Sequence, residues 1–148
     1  MTDPTALERL DANLKGLVAE FFRAVSFEAG QSPSYERIHG LFIDSGLLIR
    51  NSGPAPEISS VRQFIESRQS AVSSGDLTRF HEAEISGKTD AFGNVAQRFS
   101  AYTKSGTLKG DAFEARGMIS TQFILTPAGW RISAMAWDDE RPPAPAAR

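Results

Sequence analysis

Cysteine is absent from the chain, which excludes disulfides, thiol nucleophiles and the thiolate metal motifs together. Long hydrophobic runs are missing as well. Near the start, Leu7, Leu10, Leu14 and Leu17 are separated by Glu8, Arg9, Asp11, Asn13 and Lys15. That interleaving describes an amphipathic helix, not a signal peptide or a membrane span. Neither sign of charge dominates. Sixteen Lys and Arg stand against eighteen Asp and Glu, a net −2, so no electrostatic footprint for nucleic acid or an anionic membrane is expected. Histidine is scarce: His39 and His81 are the two in the chain, and their wide separation has none of the local spacing that marks zinc or iron sites. No Gly-x-Ser-x-Gly elbow, phosphate-cradling loop or dinucleotide fingerprint occurs. These absences predict a cytoplasmic protein that holds no metal and calls for no cofactor.

What remains is an ordinary globular composition. The 148 residues are 41% hydrophobic and 23% charged, which suits one domain able to bury its own core. The domain is expected over residues 1–141. The Pro/Ala-rich stretch 142–148 cannot continue a sheet and reads as a flexible tail.

Periodicity divides the domain in two. Asp3 as a cap and Pro4 in the first turn open a helix whose stripe is Leu7, Leu10, Leu14, Leu17, Phe21 and Val25. A second, shorter helix is expected from Ser32-Pro33, with Tyr35, Ile38, Leu41 and Phe42 facing inward. A short strand, 47–50, follows and ends at Asn51 to Pro56. Ser60 and Gln63 have capping-box spacing for a third helix, whose inner stripe is Val61, Phe64, Ile65, Arg68 and Val72, with Arg68 the polar exception. From Thr78 onward the pattern alternates in four runs, 78–89, 94–104, 113–126 and 130–138. They are broken at 90–93, at Ser105-Gly106 and at Pro127-Ala128-Gly129. The expected class is α+β: three N-terminal helices packed on a curved antiparallel sheet. Apolar residues in both phases of the strands predict a sheet covered on both faces, by helices on one and by a second copy of the chain on the other.

Several strings in this order carry a resemblance. They are Leu48-Ile49-Arg50-Asn51, Phe80-His81-Glu82, Phe92-Gly93-Asn94-Val95-Ala96 and Phe99-Ser100-Ala101-Tyr102. Arg116-Gly117 with Ser120 and Gln122 follows, then Trp130-Arg131-Ile132-Ser133, and Trp137-Asp138-Asp139-Glu140-Arg141. Over residues 5 to 141 the chain resembles the nuclear transport factor 2-like superfamily, in particular its SnoaL-like branch. The resemblance implies a cystatin-like cone with an apolar cavity between helices and sheet. That superfamily includes isomerases, dehydratases, cyclases, binding proteins and association domains, so the fold does not decide function. Steroid-type isomerisation would need a carboxylate near Asn51 and a phenol near Phe21 or Phe22, and neither is present.

The expected ligand is a small, mostly apolar molecule, with lyase or isomerase chemistry open. The alternative is a non-catalytic association module with a filled cavity. The apolar wall is expected from Phe21, Val25, Phe42 and Phe64, with Leu17. The polar contacts are expected from His81 and Tyr102 first, then Arg98, Gln122 and Trp137, with His39 near the mouth. Strand period separates His81, Ala83 and Ile85 from Phe80, Glu82 and Glu84, and Glu82 with Glu84 reads as a surface carboxylate pair. Arg98, Ser100, Tyr102, Ser120, Gln122 and Trp137 are expected on one semi-polar face. That face suits equally a ligand wall or a homodimer interface.

Overall fold

A computed structural model describes residues 5–141. The expected cap at Asp3-Pro4 and the 142–148 tail lie outside the described residues. Helix α1 (Ala6–Val25) is capped by Thr5, whose side chain accepts from the Glu8 N–H at 3.1 Å. Thr5 therefore takes the role expected of Asp3. Leu14, Val18, Phe21, Phe22, Ala24 and Val25 are its buried residues, whereas Leu7, expected on the stripe, is exposed in the first turn, beyond the reach of the sheet. The expected second helix is a single 3-10 segment, Tyr35–Gly40, with Tyr35 and Ile38 buried and no side-chain cap bond at Ser34. Six residues without a cap do not propagate α-helix.

Strand β1 (Phe42–Arg50) begins earlier than the alternation suggested. A short edge strand, β2 (Glu57–Ser60), pairs antiparallel with it, between the break at 51–56 and the third helix. Helix α2 (Val61–Ser73) starts at the expected capping box. Ser60 Oγ accepts from the Gln63 N–H at 3.1 Å, and Gln63 accepts from the Ser60 N–H at 2.9 Å. The second half is four long strands: β3 (Leu77–Phe92), β4 (Val95–Leu108), β5 (Asp111–Thr126) and β6 (Gly129–Asp139).

The sheet order is β2-β1-β6-β5-β4-β3. It is mixed, which corrects the wholly antiparallel expectation: β1 runs parallel to β6. No hairpin joins those two strands, so their direction is set by the long crossover between them and not by a local turn. A second correction concerns Ser105-Gly106, expected as a turn. Strand β4 runs through it, and the turn is Lys109-Gly110, with φ of 51° and 84°. Both residues lie in the left-handed region, the signature of a type I′ hairpin. Gly106 answers a packing need instead, because a Cβ there would strike the Arg79 carbonyl and the Phe113 ring.

Helices α1, α2 and the 3-10 segment cover one face of the sheet, and the core lies between them. The opposite face keeps Ile85, Phe99 and Met118 exposed at 52%, 54% and 39%.

Candidate functional site

Hairpin register decides which side chains meet. A two-residue turn pairs even positions of β4 with odd positions of β5, so Arg98 lies opposite Thr121, Ser100 opposite Ile119, and Tyr102 opposite Gly117. Directly paired residues share a face. Arg98, Ser100 and Tyr102 therefore face the helices with Trp137, while Ser120 and Gln122 face the other way. The single face expected for all six residues is corrected on that ground. His81 also points away from the helix side, beside Ser105, and is exposed.

The residues expected to form an apolar wall pack against one another. Phe21, Val25, Phe42 and Phe64 are all buried. The Phe21 ring meets Phe22, Phe42 and Phe64 at centroid distances of 5.9, 6.3 and 6.1 Å, and Phe64 meets Trp137 edge-on at 6.2 Å. These rings fill the narrow end between α1, α2 and β1. Open space begins beyond them, between α2 and the strands β3 to β5. A cavity of about 450 Å³ is lined there by Arg68, Leu77, Phe80, Lys104, Phe113 and Asp139, among others.

Its polar groups are strongly interdependent. Lys104 Nζ lies 3.0 Å from Asp139 Oδ1, and the Tyr102 hydroxyl donates to the same oxygen at 2.5 Å. Burial works to raise the Asp139 carboxyl, but the bonds from Tyr102 and Lys104 outweigh it and hold the group below its ordinary range. Tyr102 moves the opposite way, its phenol pushed far up by burial and by the carboxylates beside it. Glu82 projects on the inner face opposite Lys104 and lines the neighbouring groove between α1 and β3, not this cavity. Protein crowds its head group on nearly every side, although part of the side chain stays reachable by solvent. Burial raises its carboxyl to about 7; Arg68 and Lys104 oppose the rise and Asp139 adds to it. A carboxyl held near neutrality beside one held fully ionised is a division of labour suited to proton transfer.

Arg68 reaches into the cavity from α2, over the rings of Phe64 and Phe80 at 4.8 and 5.1 Å. No carboxylate lies within ion-pair distance of it among the described residues. The Tyr35 hydroxyl is buried without a hydrogen-bond partner. Burial raises its pKa, and Arg68 beside it partly offsets this through its charge and its N–H donors.

Arg98 serves a different purpose. Its guanidinium is 3% exposed and donates to both oxygens of Glu84 at 2.9 and 2.8 Å, to Asp11 at 3.1 Å and to Thr89 at 2.9 Å. Ser100 adds a 2.6 Å bond to Glu84. The network ties α1 to the edge of the sheet and leaves Arg98 little capacity for a guest. Beside it, a groove of about 610 Å³ between α1 and β3 is lined by Lys15, Phe22, Ser26, His81 and Glu82, among others. His39 sits on the surface, 3.5 Å from Glu36.

The structure thus places Tyr102, Trp137 and the aromatic residues on the inner side of the sheet, and it adds Glu82, Lys104, Asp139 and Arg68, which were not among the contacts expected from the sequence. The usable signals were Arg68 on the apolar stripe of α2 and Glu82 sharing a strand phase with Phe80. Among the described residues no group of three His, Asp or Glu is placed to hold a metal, and no helix is long and apolar enough to cross a membrane.

No family model matches the chain, and no curated protein matches it. Solved structures do match. A nuclear transport factor 2-like superfamily protein from Salmonella enterica superposes with a TM-score of 0.76 at 12% identity, covering 94% of this chain and 96% of that one. A protein with a cystatin-like fold from Novosphingobium aromaticivorans gives 0.66 at 17% identity, over 94% and 91%. A candidate Ca/calmodulin-dependent kinase II association domain from Exiguobacterium sibiricum gives 0.69 at 11%, over 97% and 100%. Identities this low speak to fold alone. The chain has the nuclear transport factor 2-like, cystatin-like fold.

Proposed function

We propose that this is a small-molecule-binding protein of SnoaL-like type, whose guest enters the cavity between α2 and the inner sheet face. The observation that supports this is the composition of that cavity. Leu77, Phe80 and Phe113 give an apolar wall, while Arg68, Lys104 and Asp139 give fixed polar contacts within about 450 Å³, a size and a mixture typical of ligand sites. Tyr102 and Trp137 act from behind, Tyr102 by holding Asp139 and Trp137 by bracing Phe64. Glu82 lines the neighbouring groove between α1 and β3 and feels the charges of Arg68 and Lys104; it is the group suited to lyase or isomerase chemistry, since it can take and return a proton at neutral pH. The test is ligand-observed NMR with a panel of small aromatic compounds, repeated on Ala115→Trp, whose indole would fill the space that Ala115 lines. Binding by the wild type that disappears in the variant supports the reading. Binding that persists in the variant, or an absence of binders, refutes it.

A homodimer through the outer sheet face is the companion proposal and the surviving part of the association-module alternative. Ile85, Phe99 and Met118 there are large, exposed and unpartnered within the chain, an arrangement that a second sheet would cover. Gln122 and Ser120 belong to this face, and in this reading they are interface residues.

A further inference from the structure

We infer that the guest of this cavity is a monocarboxylate with a flat apolar or aromatic body, its carboxylate held by Arg68. The inference rests on the cavity reading above and names the chemical class that fits it. Three cations line the cavity, Arg50, Arg68 and Lys104. Two already have carboxylate partners: Arg50 pairs with Glu57 at 2.7 Å and Lys104 with Asp139 at 3.0 Å. Arg68 makes no ion pair among the described residues and instead lies across the faces of Phe64 and Phe80. A guanidinium lying over two rings is stabilised there by cation–π attraction, and its fork of N–H donors exceeds what the neighbouring Tyr35 hydroxyl can take up. A carboxylate is the acceptor whose two oxygens match that edge.

The rest of the wall fixes the body and the charge of the guest. Phe80 and Phe113 lie with their rings 6.2 Å apart and tilted by 39°, next to Leu77 and Leu108, a surface for a flat apolar group. Glu114 and Asp139 also line the cavity, so a polyanion such as a nucleotide phosphate would meet repulsion that a single negative charge at Arg68 avoids. Half-burial of Arg68 strengthens the attraction relative to open water.

The test is isothermal titration calorimetry at pH 7.5 with two probes of one shape, 2-naphthoate and 2-naphthamide, on the wild type, Arg68→Met and Arg68→Lys. The wild type should bind the carboxylate at least about tenfold tighter than the amide, the scale of one charge-assisted hydrogen-bonded contact. Arg68→Met should bring the two affinities together, while Arg68→Lys should retain part of the preference. The wild-type ratio needs no variant and so stands whether or not Arg68→Met folds. Equal affinity for both probes in the wild type overturns the carboxylate inference and leaves the cavity reading intact. A preference that survives Arg68→Met removes Arg68 as its source and overturns the assignment. Failure of both probes to bind overturns the cavity reading and the inference with it.

Discussion

Tyr102 on β4 reaches Asp139 on β6 by crossing the intervening strand at Gly117, which is the register partner of both residues. The phenol lies where a side chain at position 117 would stand, since a Cβ on Gly117 would strike the Tyr102 hydroxyl and the Asp138 carbonyl. The ring is fully buried, and its hydroxyl also lies 3.1 Å from the Asp138 carbonyl. One glycine thus permits a polar link across three strands, and that link positions the acidic wall of the cavity.

Gly117→Ala should therefore displace Tyr102 and lower stability by about 1–3 kcal/mol, the usual scale of overpacking a core. Tyr102→Phe should lower it by a similar amount, about 1–3 kcal/mol, through loss of a hydrogen bond to a charged group. Urea denaturation reads both. If the contact is a single unit, the double variant should lose less than the sum of the two changes.

The Arg98 network predicts a larger effect. Glu84 is 11% exposed and Arg98 3% exposed, so Arg98→Met strands a carboxylate and should cost on the order of 3–5 kcal/mol. Glu84 opposes its own burial through bonds from Arg98 and Ser100 and is held below its ordinary value. Its stabilisation is present above the unfolded-state pKa and is lost as pH falls through the lower folded value. Acid unfolding should accordingly begin at higher pH in Arg98→Met, as circular dichroism at stepped pH would show.

Glu82 has the opposite sign. Its folded carboxyl holds its proton up to about 7, whereas the ordinary value is 4.5. Between those values the unfolded chain ionises and the native state does not, so stability falls as pH rises, and it levels off above about 7. Glu82→Gln should flatten that slope and raise stability at pH 8 relative to the wild type. Carboxyl carbon shifts followed by NMR should show one glutamate titrating near neutrality, and that resonance should be missing in Glu82→Gln.

The outer sheet face predicts a dimer. Light scattering over a dilution series should give twice the chain mass at micromolar concentration, and Phe99→Lys with Met118→Glu should yield a folded monomer. A monomeric wild type at those concentrations would remove the interface proposal.

Much of the architecture is local and was therefore readable from the sequence. The stripe of α1, the Ser60–Gln63 capping box of α2 and the alternation of β3 to β6 each depend on residues a few positions apart. The same logic marked Arg68 as a cation on an apolar stripe, and it separated Glu82 from His81 by strand phase. Only the tertiary structure decided the rest. Strand period sorts side chains into two sets without saying which set faces the helices, and register alone placed Arg98 with Thr121 and Gln122 on the far side. The parallel pairing of β1 with β6 joins segments that no turn connects. The chemistry of Glu82 arises first from burial, then from the opposing charges of Arg68 on α2 and Lys104 on β4 and the added charge of Asp139 on β6. Desolvation and charge act through space, and a sequence orders its residues only along the chain.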